Sequence, residues 1–416
     1  MRGKSNSSLT TLAIIILILF CWCSYVERWA FERIGGVASW ALMIVVGILV
    51  ITTREKRSLK ESLFAKWRFI FYIAYGFFFS LGWGNLVQVH VGPVTLPKQI
   101  HDLLFNFLII ESLIAVTHTG INNQRISHKF LYYVLLTVSV GNIIVVMIDP
   151  SLSKTEAAEG GLFVLGYAMS YVLALNVPIC VYHIENNENK GIRTRYLILL
   201  VVMIISMYFA GYLIALVTGI GSIVLYFIFN SKNRKAIIVR SILFVLLMLG
   251  VIYTLDVSSL LGSIADETEE TNIQKRLYEI SDFMQEGGDM EGLEGKSTFR
   301  FYIYQYTLTQ FFSHPILGNF IFGNFRCFYD HCTFLDLLAV GGILLAIPFC
   351  KMLTSGYKAY SDMFYDVKAK RALQVIYISY FFLSLCNSVF SSRFLGVLFF
   401  SSIILLSNTK VNKSNE

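Results

Sequence analysis

The sequence predicts an all-α polytopic membrane protein of about twelve transmembrane helices with one long extracytoplasmic loop. Three observations carry that reading. Of 416 residues, 56% are hydrophobic and only 15% are charged, a balance too apolar for a soluble globular domain. The apolar residues gather in runs of roughly 20, the length that crosses a bilayer as a helix. The Lys and Arg residues behind the formal charge of +7 sit in the short connectors between those runs. A basic chain can signal nucleic acid as a partner, but cations confined to connectors are a topology signal of membrane proteins, and nucleic acid is set aside.

The first run follows Met1 to Thr10 and reads TLAIIILILF. It resembles a signal peptide, and Cys21 invites a lipoprotein reading, but Phe20 stands where cleavage needs small residues and further runs follow. An uncleaved first helix is therefore expected. The first six spans are centred on Leu9–Tyr25, Val37–Thr53, Phe69–Val89, Ile100–Thr117, Phe130–Ile148 and Gly161–Tyr182. The remaining six are Tyr196–Ala210, Tyr212–Phe229, Ile237–Asp256, Thr333–Met352, Ala372–Phe390 and Phe394–Ser407. Around Gly211 one broken or re-entrant passage would read the same way as two spans.

With the amino terminus inside, alternate connectors hold most of the cations: Arg54 to Arg68, Arg125 and Lys129, Lys190 to Arg195, Lys232 to Arg240, Lys351 to Arg371, and Lys410 with Lys413. The short outside connectors hold only Arg28, Arg33, Lys98, Lys154 and Arg393. By the positive-inside rule both termini are cytoplasmic. The expected organisation is residues 1–256 as helices one to nine, 257–331 as an extracytoplasmic loop with an interfacial helix, and 332–416 as helices ten to twelve with a cytoplasmic tail.

The loop opens with an acidic, polar stretch in which Gly287 and Gly288 interrupt a helical pattern around Ile273 to Met284. From Thr298 to Phe312 the aromatics are so dense that strand alternation and helical periodicity both fit. A helix lying in the membrane interface is favoured, because Tyr and Phe suit that depth and no partner strand is evident. Pro315 and Gly318 then end it. Of the seven cysteines, Cys327 and Cys332 fall on the outer side, where a disulfide is chemically allowed, and the others sit in or beside apolar runs as packing residues. No nucleotide-binding loop, internal repeat or zinc-like Cys/His spacing is present in the sequence.

The residues suited to chemistry lie between Lys296 and Leu345. His331 is a titratable imidazole at the start of a span, and Arg276, Arg300 and Arg326 share its loop. Nearby guanidinium groups favour the neutral, basic form of an imidazole, which can take a proton from a sugar hydroxyl, while guanidinium forks match phosphate oxygens. A plain interfacial histidine and arginines at lipid headgroups are the competing explanation. Asp336 stands just over a turn into the span, where it either orients the histidine or a sugar, or caps the helix. Glu111, within a span, lines a cavity or makes a polar contact between helices. His314 occupies a turn and is read as structural, and the acidic run Asp266, Glu267, Glu269 and Glu270 as solvated charge.

The order of these features resembles a known family. Arg300, an aromatic helix, His314-Pro315-Ile316-Leu317-Gly318, then His331, Asp336, Leu338, Ala339 and Gly342 opening a span, is similar to the bacterial O-antigen polymerase and O-antigen ligase superfamily, the Wzy-like membrane glycosyltransferases. The firm motif covers about fifty residues. Cys332 and Leu345 depart from residues common there, and Phe209-Ala210-Gly211 stands where many members have Ser-Arg-Gly. The resemblance implies undecaprenyl pyrophosphate-linked oligosaccharides as donor and acceptor in the bacterial inner membrane, and inverting transfer with neither metal nor other cofactor. It also implies His331 as base, Arg300 as a phosphate contact with Arg276 or Arg326 as further ones, and a chain-length regulator as a candidate partner. Polymerase is favoured over ligase by Asp336 with Leu338-Ala339 and by the missing Ser-Arg-Gly arginine. A lipid-linked oligosaccharide flippase is the rival outside the class, and it should show symmetric half-chains and interrupted helices.

Overall fold

The computed structural model of the chain describes residues 6–23, 26, 30, 33–53, 59–81, 86–88, 92–93, 96–148, 167–230, 299–319, 327–329 and 332–407. The apolar runs fold as helices, which satisfy every interior backbone N–H and C=O within the segment and so need no water. They are α1 (Asn6–Trp22), α2 (Gly36–Thr52), α3 (Leu59–Leu81), α4 (Leu96–Val116), α5 (Ile121–Ile148), α6 (Tyr167–Asn186), α7 (Lys190–Phe209) and α8 (Leu213–Phe229). Beyond residues 231–298, which lie outside the described residues, come α9 (Phe299–Ser313), α10 (Thr333–Ser361), α11 (Val367–Cys386) and α12 (Ser392–Ser407), the last with a π-helical turn at Val397–Ser401. Every expected span falls on one of these helices except Ile237–Asp256, which lies outside the described residues, as does most of the loop with its boundary at residue 257. Among the described residues four helices are long and apolar enough to cross a membrane: α5, most of α6, α7 and α10.

The third span is displaced from its expected position. Helix α3 ends at Leu81, just before Gly82 and Gly84, and its start reaches back over the connector cations Lys66 and Arg68. Glycine costs helix stability, so the stop follows the residue chemistry rather than the hydropathy average. Leu86–Gln88 (β1) is instead a strand, antiparallel to Gly92–Pro93 (β2) and parallel to Cys327–Tyr329 (β3) in the order β2-β1-β3. This small sheet was not legible in the sequence, and it ties the connector between α3 and α4 to the end of the long loop. The aromatic stretch expected to be helical is helical, as α9.

Helix α3 shows what solvent these helices meet. Phe64, Arg68, Phe71, Tyr75 and Phe78 recur every three or four residues and are buried, while Phe69, Ile73 and Phe77 on the opposite face are exposed. A helix with a protein-facing stripe and an equally apolar outer face suits lipid, not water.

Helices α6 and α11 run antiparallel, with Asn387 donating to Tyr171 near one end and Tyr182 donating to Asp366 (2.8 Å) near the other. The second end, here the basic end, also gathers the starts of α1 and α5 (Thr11 to Asn123, 3.0 Å), the end of α8 (Asn230 to Glu185, 2.8 Å) and the end of α12 (His183 to the Leu405 carbonyl, 2.8 Å). The first, the loop end, carries the small sheet, α9 and the start of α10. Connectors that are rich in cations thus share one end.

Candidate functional site

The two motifs that stand about twenty residues apart in sequence interlock at the loop end through their backbones. Helix α9 stops at Ser313, and Gly318, at φ 66°, donates to the His314 carbonyl (2.8 Å) to close the His314-Pro315-Ile316-Leu317-Gly318 turn. This turn sits in a break of α10. Gly342, at φ 57° and ψ −151°, takes the chain out of helical geometry, so Ile343 and Leu344 donate to the Pro315 and Ile316 carbonyls (2.9 and 3.4 Å). The released Ala339 carbonyl accepts from the Asn319 amide (2.9 Å), and the Asn319 side chain donates to Gln310 of α9 (2.7 Å). Backbone groups freed by the break are therefore satisfied inside the protein, as a low-dielectric setting demands. Each glycine is a close-approach position. A Cβ on Gly318 would lie 2.4 Å from the Val340 oxygen, and one on Gly342 would lie 2.4 Å from the Ile316 oxygen.

Around the start of α10 a second set of bonds converges. Asp336 is 3% exposed, and its carboxylate accepts from the Cys332 amide (3.2 Å) while its own amide donates to the Cys332 carbonyl (2.8 Å). The second is the first bond of the helix and the first is a cap on its opening amide, stabilised by a negative charge at the positive end of the helix. Cys332 is a free thiol that donates to the Leu385 carbonyl (2.9 Å), which leaves no bridge to Cys327. Thr333 donates from its amide to the Asn387 carbonyl (3.1 Å) and accepts the Val389 amide on its hydroxyl (2.7 Å). Tyr304 of α9 donates to the Cys386 carbonyl (2.8 Å). The connector between α11 and α12 is thereby a common seat for α9 and for the residues immediately after His331. Replacing Asp336 by Ala is expected to lower stability by about 1–2 kcal/mol through loss of the cap, read as thermal unfolding in detergent; Asp336→Asn, which keeps an acceptor oxygen, should lose less.

His331, Arg276 and Arg326 lie outside the described residues. Arg300 is the second residue of α9, one helical turn before Tyr304, whose hydroxyl reaches the last residue of α11. Asp336 caps the start of α10, the turn whose Cys332 and Thr333 bond to the end of α11 and to the α11–α12 connector. Glu111 is not part of this cluster. It meets Arg68 of α3 in a two-pronged pair (Nε to Oε1 2.6 Å, Nη2 to Oε2 2.9 Å), with Phe64 covering the guanidinium at 4.2 Å. A polar contact between helices is thus its place in the described residues. Arg68 reads in sequence as one of many connector cations, so nothing marked it as the partner. The break in α10 was also missed, and the adjacent Gly341-Gly342 in an otherwise apolar span was the available signal.

A helical protein with apolar outer faces, four helices fit to cross a membrane, and irregular backbone packed into one helix break is of the membrane-protein class. No protein-family model matches the chain, and no curated protein matches it.

Proposed function

We propose that this protein is a membrane polysaccharide polymerase that transfers a lipid pyrophosphate-linked oligosaccharide onto a lipid-linked repeat unit at the outer face of the bacterial inner membrane, with about twelve spans and both termini cytoplasmic. One observation carries the reading. The two motifs on which the resemblance to Wzy-like glycosyltransferases rests are in direct backbone contact, and the helix bearing Arg300 shares a seat with the residues after His331. In the proposed reaction His331 takes the proton of the acceptor sugar's hydroxyl. That oxygen attacks the anomeric carbon of the donor, and the bond to the pyrophosphate breaks. Arg300, with Arg276 or Arg326, bears the growing negative charge of the leaving group. The leaving group itself makes transfer downhill, so no nucleotide is required.

A second reading, a flippase for the same lipid-linked glycan, draws support from the interrupted α10 and the Arg68–Glu111 pair, since broken helices and intramembrane charges are frequent at transport sites. Deleting the gene and running the surface polysaccharide on a gel separates the readings. A polymerase leaves a single repeat on the core. Polymer made but never attached to the core marks a ligase, and repeats trapped on the inner face mark a flippase. A stably inserted His331→Ala variant that still makes a full ladder would remove the histidine from the mechanism.

A further inference from the structure

At the basic end two candidate spans begin side by side. Helices α5 and α7 run parallel, tied by Tyr132 donating to the Arg195 carbonyl (3.1 Å), by Tyr196 with His128 Nε2 (3.0 Å), and further along by Asn142 donating to the Ser206 carbonyl (3.0 Å). Their opening turns carry Arg125 and Lys129 on α5 and Lys190, Arg193 and Arg195 on α7, all exposed. Two connectors some sixty residues apart in sequence therefore form one ridge of positive charge.

Within the protein this arrangement is unfavourable. Parallel helices point their positive dipole ends the same way, and cations belong at the opposite ends; yet neither helix has an acidic residue in its first turn. Arg125 and Lys129 stand four apart, where like charges repel. Among the described residues none of the five cations makes an ion pair, while the salt bridge of this end joins Lys368 to Glu185. Glu188, two residues before Lys190, is exposed and is one carboxylate against five cations. Uncompensated charge held on a rigid pair of helices points to an anion from outside the chain.

The neighbouring side chains indicate which anion. Beside and just past the cations, Ile126, Leu197 and Ile198 are exposed, and Tyr133 is exposed one turn beyond Lys129 on α5. The ridge thus lies where an apolar belt begins, the level at which long basic side chains reach lipid headgroups and tyrosines favour the boundary. We propose that the α5–α7 ridge is a binding surface for anionic phospholipid headgroups, whose phosphates bridge the two helix starts.

The test uses the full-length protein in nanodiscs of phosphatidylcholine, with or without phosphatidylglycerol. Thermal unfolding and the phosphatidylglycerol retained after mild detergent extraction are both read. The expected result is a higher midpoint and selective retention with phosphatidylglycerol, both weakened by salt. Retention should fall about fivefold for each cation removed in Lys190→Gln, Arg193→Gln and Arg195→Gln combined, and equally in Arg125→Gln with Lys129→Gln. Replacing Arg125, Arg193 and Arg195 by Lys should preserve it, as should Lys351→Gln with Lys358→Gln, a neutralisation of the same end away from the ridge. The proposal is overturned by indifference to phosphatidylglycerol, by equal retention in the ridge variants, or by equal loss in the Lys351/Lys358 variant. It is also overturned if inorganic phosphate in phosphatidylcholine nanodiscs gives the same stabilisation, which would identify a free anion as the ligand.

Discussion

Gly342→Ala is expected to abolish correct folding of the loop end. At φ 57° and ψ −151° the position is one that only glycine adopts readily, and the added Cβ would press on the Ile316 oxygen at 2.4 Å. Backbone on both sides is already hydrogen bonded, so neither the turn nor the helix can withdraw without exposing N–H groups of Ile343 and Leu344. Conformational strain and steric displacement together amount to about 3–5 kcal/mol, the range of the most damaging single substitutions. Gly318→Ala should behave similarly, because its Cβ would meet the Val340 oxygen from the other side of the same contact. Gly221→Ala is the control. It lies in α8 with nothing within 4 Å of the new methyl group, and should be neutral or stabilising by up to about 1 kcal/mol. Yield of folded protein and thermal midpoint in detergent measure all three. Equal behaviour of Gly342→Ala and Gly221→Ala would refute the interlock.

Arg68→Leu and Glu111→Leu should each be severely destabilising, and the double variant should recover most of the loss. Arg68 is 2% exposed and the Glu111 side chain 28%, so removing either leaves a charge in a poor solvent without its counter-ion. The expected cost of a single change is about 3–5 kcal/mol, whereas replacing both by apolar residues is often neutral or better. Phe64 over the guanidinium and Tyr72, which reaches Glu111 at 3.4 Å, would pack against the new leucines. A double-mutant cycle on thermal stability gives the coupling directly. Additive single effects would show that the pair contributes no mutual stabilisation. If the double variant is stable but the surface polysaccharide ladder is lost, the pair serves function as well as folding.

Local residue chemistry explains what was legible beforehand. An apolar run of about twenty residues has few alternatives to a helix in lipid, which is why α1, α2, α5 and the later helices stand close to their expected positions. The helical choice for α9 rested on Tyr and Phe suiting the interface, since strand and helical periodicity both fit its sequence; in the structure Thr307 and Gln310 face inward and Phe312 points out at 72% exposure. The capping alternative for Asp336 was readable from its place in the first turn of α10. Two departures are equally local: α3 stops before Gly82, a signal that hydropathy averaging hides, and Cys332 spends its thiol on a carbonyl.

By itself the sequence determined the helical membrane class, most helix positions among the described residues and the separation of cations from apolar runs, because each depends on residues within a turn or two of one another. Only the tertiary structure decided that Arg68 answers Glu111, that the Pro315 turn fills the break at Gly342, that β1 joins β3, and that two basic connectors merge into one ridge. Those pairings join segments tens to hundreds of residues apart, and no periodicity along a chain encodes which distant group will satisfy a buried charge or a freed backbone N–H; packing selects the partner.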